Sequence, residues 1–96
     1  MNYDFTIVVP VYNEEDNLLR VETELLAYTK KALKKTKILF VNDGSKDKSQ
    51  ELIELIAHRN PEFSFISFKE NRGLSAAIKA GFDYTETPLV GYIDSD

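Results

Sequence analysis

The chain contains no cysteine. That excludes disulfide frameworks, thiolate zinc sites and thiol nucleophiles together, and it fits a reducing compartment. Long hydrophobic runs are missing as well. The longest, Phe5 to Tyr12, is interrupted by Thr6 and Pro10 and falls far short of a bilayer span. No basic segment followed by an apolar core opens the chain, so no signal peptide is expected. Positive charge is in deficit: 12 Lys and Arg stand against 16 Asp and Glu, for a net charge of −4. This argues against nucleic acid as a partner. Two ordinary phosphate cradles are also absent, since there is neither a Gly-x-Gly-x-x-Gly after the first strand nor a Gly-Lys-Ser/Thr loop. Linkers, low-complexity tracts and internal repeats are not found either.

What remains is ordinary globular material. Ninety-six residues, 43% hydrophobic and 29% charged, suit one small domain or part of a larger one. Phe5-Thr6-Ile7-Val8-Val9-Pro10-Val11 is nearly continuous in apolar character, as expected of a strand covered on both faces. Asn13 is placed to cap a helix with Glu14, Glu15 and Asp16 in its first turn. Leu18, Val21, Leu25, Tyr28 and Ala32 then recur at helical spacing to about Leu33. A second strand is predicted over Lys37–Val41, and Asp47 with Gln50 resembles a capping box opening a second helix that Asn60-Pro61 stops. Phe63 to Phe68 predicts a third strand and Leu74 to Tyr84 a third helix. Leu89 to Ile93 reads as a buried final strand. The alternation βαβαβαβ predicts an α/β fold with a mainly parallel sheet and right-handed crossovers. Strand order is not readable from the sequence.

Four segments fall at strand ends or in the turns after them, so all four can line one rim. In the first, Pro10 fixes the exiting backbone and Tyr12 offers a ring for base stacking or for plain packing. In the second, Asp43 can accept hydrogen bonds from a base or ribose, or merely close an Asx turn. In the third, Gly73, Ala77 and Gly81 are four apart on one helix face, open to a ligand or to close packing on the sheet. Arg72 at that helix entrance can meet a phosphate or base carbonyl. The fourth is Asp94-Ser95-Asp96. Residues i and i+2 of an extended strand point the same way, so Asp94 and Asp96 can converge on a hard divalent cation, Mg2+ or Mn2+. Alone, this ending would equally suit a solvated acidic tail. The rim holds Glu14, Glu15, Asp43, Asp94 and Asp96 against Arg72 and Lys79, so a nucleotide pyrophosphate would need a bridging cation. Lys30, Lys31, Lys34, Lys35 and Lys37 form a basic run that suits a solvated helix end, or an anionic membrane face.

Together and in order, these segments resemble the family 2 inverting glycosyltransferases of the GT-A fold, specifically the branch acting on dolichol and undecaprenyl phosphates. The likeness covers essentially all 96 residues. It implies a Rossmann-like nucleotide-sugar-binding half, with Pro10, Tyr12 and Glu14 holding the nucleobase and Val41 and Asp43 holding base and ribose. Asn42 stands where the family carries a first aspartate. The family's Arg-Gly-x-x-x-Ala-x-x-x-Gly helix falls on Arg72, Gly73, Ala77 and Gly81. Its Asp-x-Asp motif falls on Asp94, Ser95 and Asp96, which puts Asp94 and Ser95 on the donor and Asp94 and Asp96 on Mn2+ or Mg2+. A UDP- or GDP-sugar donor is implied, with inversion at the anomeric carbon and a lipid-phosphate or saccharide acceptor. So is a place in the cytoplasm or at the cytoplasmic membrane face, with membrane association through segments lying further on. Residues 1–96 are accordingly expected to be the donor-binding part, truncated after Asp-x-Asp and without a catalytic residue of its own. A non-catalytic nucleotide-binding module is the first alternative. A Mg2+-dependent receiver domain is the second, but it needs an aspartate ending strand three, where this chain has Ser67-Phe68-Lys69.

Overall fold

Seven elements alternate along the chain in the computed structural model, which describes residues 2–95. They are β1 (Phe5–Val11), α1 (Leu18–Lys31), β2 (Thr36–Asp43), α2 (Ser49–Arg59), β3 (Phe63–Phe68), α3 (Leu74–Tyr84) and β4 (Leu89–Tyr92). All four strands are parallel, in the order β3-β2-β1-β4. The chain thus winds outward from β1 to β3, then returns through α3 to the other side of β1. With right-handed crossovers, that reversal puts α1 and α2 on one face and α3 on the other. It also leaves a crevice at the carboxyl ends of β1 and β4, the topological switch point where open α/β sheets take ligands.

Strand parity sorts the core into two layers. Ile7, Val9 and Val11 join Ile38, Phe40 and Phe63 beneath Leu18, Val21 and Leu25 of α1 and Ile53 and Ile56 of α2. Val8, Leu39 and Val41 face Ala77 of α3. A Cβ on Gly81 would lie 2.4 Å from Val8 Cγ1 and 3.2 Å from Val41 Cγ2. Close packing therefore accounts for Ala77 and Gly81 without any ligand. Gly73 differs, since a Cβ there would meet nothing within 4 Å and its φ is 97°.

Three expectations are corrected. The first helix begins at Leu18 rather than after Asn13, so Glu14, Glu15 and Asp16 sit in a preceding turn. Asn13 cannot cap it, because its φ is 52° and its Oδ1 accepts the Lys46 N–H at 2.8 Å. The Asp47–Gln50 box also does not close. Asp47 Oδ1 holds the Ser49 N–H at 2.8 Å, but Gln50 turns away to Asn42, Ser67 and Glu54. Finally, β4 is not a buried strand. Leu89, Val90, Tyr92 and Ile93 are exposed, because β1 is its one neighbour among the described residues.

An ionic contact the sequence did not announce ties the helices of one face together. Glu22 of α1 is buried and accepts from Arg59 Nε at 2.8 Å, from Arg59 Nη2, and from Asn60 Nδ2 at 2.6 Å. The Arg59 hydrogen bonds outweigh the effect of burial, and with Asn60 and the guanidinium charge they hold the Glu22 carboxyl below its ordinary 4.5.

Candidate functional site

A cleft of about 290 Å³ opens at the carboxyl end of the sheet, between the ends of β1 and β4 and the entrance to α3. Pro10, Tyr12 and Glu14 form one wall, Asp43, Asn71 and Gly73 another, and Asp94 with Ser95 the third. All four segments singled out in the sequence therefore contribute to it. A larger hollow of about 820 Å³ lies at the opposite end of the sheet, against Tyr3, Lys37 and Thr87. None of the four segments reaches it.

The β1 wall is held from outside. Asn13, Glu14 and Glu15 donate successive backbone N–H groups to Ser45 Oγ at 2.9 Å, Ser49 Oγ at 2.9 Å and Asp47 Oδ2 at 3.1 Å. The loop after β2 thus grips the turn after β1. Burial pushes the Asp47 carboxyl up, but the donors from Ser49 and Glu15 prevail and hold it below its ordinary value. Tyr12 remains 44% exposed, with its ring free to stack.

Asp43 is buried, on the α3 side of β2, where strand parity puts it beside the helix entrance. Its Oδ1 accepts the Arg72 N–H at 2.6 Å, and its Oδ2 accepts the Gly73 N–H at 3.0 Å and Asn71 Nδ2 at 3.1 Å. A carboxylate at a helix N-terminus is favoured by the dipole and by otherwise orphaned amides. Asp43 thus shapes the 71–73 loop as well as lining the cleft. The Asx-type turn belongs to its neighbour, for Asn42 Oδ1 accepts the Ser45 N–H at 3.1 Å. Gly44 is obligatory there: its φ is 70°, and a Cβ would lie 2.4 Å from the Asn71 backbone nitrogen.

The β4 wall is locked by Ser95, which is buried and donates its hydroxyl to the Pro10 carbonyl at 3.1 Å. Asp94 beside it is exposed and makes no hydrogen bond or ion pair with any described residue. Asp96, the second expected metal ligand, lies outside the described residues.

Four expected cleft residues stand elsewhere, the first being Glu15, which is not in the lining. Val41 is fully buried in the α3-side core, because its odd parity in β2 turns it under the helix. Arg72 reaches the site only through its backbone N–H, while its guanidinium lies 4.3 Å from the centre of the Phe68 ring. Lys79 pairs with Asp83 at 2.8 Å on the exposed face of α3. The basic run divides likewise: Lys30 and Lys31 end α1, and Lys35 and Lys37 lie over the Tyr3 ring at 5.3 and 5.6 Å. The acidic residues of the cleft lining are consequently Glu14, Asp43 and Asp94, with no lysine or arginine among the described residues, and one Glu14 oxygen accepts from Asn17 Nδ2 at 2.8 Å. Sequence reasoning missed Asn71 and the Ser45, Asp47 and Ser49 grip, whose one visible sign was a run of short polar side chains after β2.

Known proteins resemble this chain in sequence and in fold. A dolichyl-phosphate beta-glucosyltransferase of Trichomonas vaginalis is 38% identical over 96 residues, covering 95% of this chain and 30% of that protein. A dolichol-phosphate mannosyltransferase of Saccharomyces cerevisiae is 32% identical over 97 residues, covering 100% of this chain and 36% of that protein. The chain thus spans well under half the length of either relative. Among solved structures, a mannosyltransferase of Pyrobaculum calidifontis superposes with a TM-score of 0.81 at 20% identity, over 100% of this chain and 28% of that one. That likeness carries the fold, a GT-A arrangement with a Rossmann-like sheet. The family-wide sequence pattern matches residues 6–96, and on that match the chain belongs to glycosyl transferase family 2.

Proposed function

We propose that this chain is the donor-binding part of a metal-dependent hexosyltransferase. It takes a UDP- or GDP-sugar, and the protein carrying it passes the sugar, with inversion, to a polyprenyl phosphate or a saccharide. One observation carries the reading: a cleft at the switch point of the sheet is lined, among the described residues, by three acidic residues and no lysine or arginine. A diphosphate entering such a cleft is repelled. Two like unit charges about 4 Å apart at an effective dielectric of about 20 cost about 4 kcal/mol. A nucleotide site of this kind works only with a cation between ligand and protein. Among the described residues no three acidic side chains cluster tightly enough to hold a metal, but Asp94 is unpartnered at the lip and offers the oxygen ligand that suits a hard divalent ion such as Mn2+ or Mg2+.

Asp94 and Asp96 would hold that ion, which when bound neutralises the diphosphate leaving group. The chain's own residues perform the remaining tasks. Tyr12 presents a ring to the base, Glu14 and Asn71 offer polar atoms beside it, and Ser95 ties the acid-bearing end to β1. Support comes from named neighbours: the P. calidifontis mannosyltransferase is a complex with GDP-Man and Mn2+, and a Staphylococcus aureus TarS fragment is a complex with UDP-GlcNAc. The acceptor class rests on the dolichyl- and dolichol-phosphate relatives. The test is calorimetry of UDP and GDP against the protein carrying this sequence, with Mn2+ and with EDTA. Binding should require the metal and should be lost in Asp94→Ala. Full affinity in EDTA would defeat the reading.

A further inference from the structure

The grip between the first two loops is unusual in what it holds. The gripped turn carries a non-glycine residue at positive φ, Asn13 at 52°, a conformation that persists only where surrounding contacts impose it. Tyr12 and Glu14, which flank Asn13, both line the cleft. Asp47, Ser45 and Ser49 do not line it. Whatever these three side chains do for a ligand, they do through the turn.

We propose that Asp47 is a positioning residue for the donor site: by bridging the start of α2 to the Glu15 amide, it locks the Tyr12–Glu15 turn in the shape that presents Tyr12 and Glu14 to the cleft. This rests on the reading of the cleft as a nucleoside-diphosphate site. The carboxylate uses both oxygens for separate tasks. Oδ1 accepts the Ser49 N–H at 2.8 Å, which secures the helix start, and Oδ2 accepts the Glu15 N–H at 3.1 Å, which secures the turn. An asparagine at this position has one carbonyl oxygen, so it accepts from Ser49 or from Glu15 but not from both, and its amide NH2 opposes the other N–H, donor against donor. Asp47→Asn therefore breaks the bridge between the helix start and the turn, whichever contact the oxygen keeps.

The experiment titrates UDP and GDP, with Mn2+, into the protein carrying this sequence and into Asp47→Asn, Tyr12→Ala and the double variant. Asp47→Asn should stay folded with a modestly lowered thermal midpoint and lose about tenfold in affinity, the worth of one charge-assisted hydrogen bond. The double variant should bind little worse than Tyr12→Ala alone, because the grip acts through that turn; independent effects would add. Should Asp47→Asn fail to fold, Ser45→Ala removes only the Asn13 contact and carries the same expectation. Unchanged affinity in the grip variant, or full additivity, overturns the positioning role and leaves the site reading standing if Tyr12→Ala still weakens binding. If Tyr12→Ala also binds like the parent, the donor-site reading fails and the proposal falls with it.

Discussion

Both carboxylate oxygens of Asp43 are committed to the loop before α3, so a substitution there strips the Arg72 and Gly73 N–H groups of their acceptor and leaves Asn71 Nδ2 with the Asp43 backbone carbonyl alone. Asp43→Ala should cost about 1–3 kcal/mol in urea unfolding, the penalty for part-buried N–H groups left unpaired beside a buried strand end. Nucleotide affinity should fall with it, because Asn71 and Gly73 lose their places in the cleft wall. A variant as stable as the parent would show that the loop holds itself. Glu22 gives a second residue-scale prediction, this time in pH. Its folded carboxyl titrates below the ordinary value, so its contribution to stability is complete above the unfolded pKa. That contribution disappears as pH falls through the folded value. Glu22→Gln should therefore cost about 1–2 kcal/mol at neutral pH, and the gap to the parent should close in acid. A gap independent of pH would assign the loss to shape rather than charge.

Among the elements, α3 is set against the sheet by what it lacks. Gly81→Ala raises helix propensity by roughly 1 kcal/mol, yet the added methyl has Val8 and Val41 in its way. The net effect should be destabilising by about 1–3 kcal/mol, read as a lower thermal midpoint. A rise would mean that the valines yield. The same helix shows what the sequence makes legible. Its bounds and those of β3 follow from apolar spacing and from Pro61, Gly73 and Pro88, and both came out as expected. The start of α1 did not, because Asn13 takes a left-handed backbone imposed by Ser45 and Lys46, residues of another loop. Local patterns cannot record a contact between loops. For the same reason Pro10, Tyr12, Glu14, Asp43, Asp94 and Ser95 reached the cleft as a strand-end argument requires, whereas Val41 and Arg72 did not. Parity within β2 consigns Val41 to the core, and the Phe68 ring claims the Arg72 guanidinium.

At the scale of the whole molecule, one wall of the cleft is joined to the rest across nearly the full chain. Ser95 meets Pro10 over 85 residues of separation, and β4 pairs with β1 by a four-residue ladder, its one strand neighbour among the described residues. With a four-residue ladder and exposed side chains, this strand should be the first of the described four to detach. Occupancy of the cleft and docking of β4 then become one equilibrium, since a ligand that bridges the Asp94 wall to the Tyr12 wall binds only the docked form. Amide exchange at Leu89–Tyr92 should be the fastest of the four strands in the empty protein, and it should slow selectively when UDP or GDP and Mn2+ are added together. The donor would then finish the sheet that receives it.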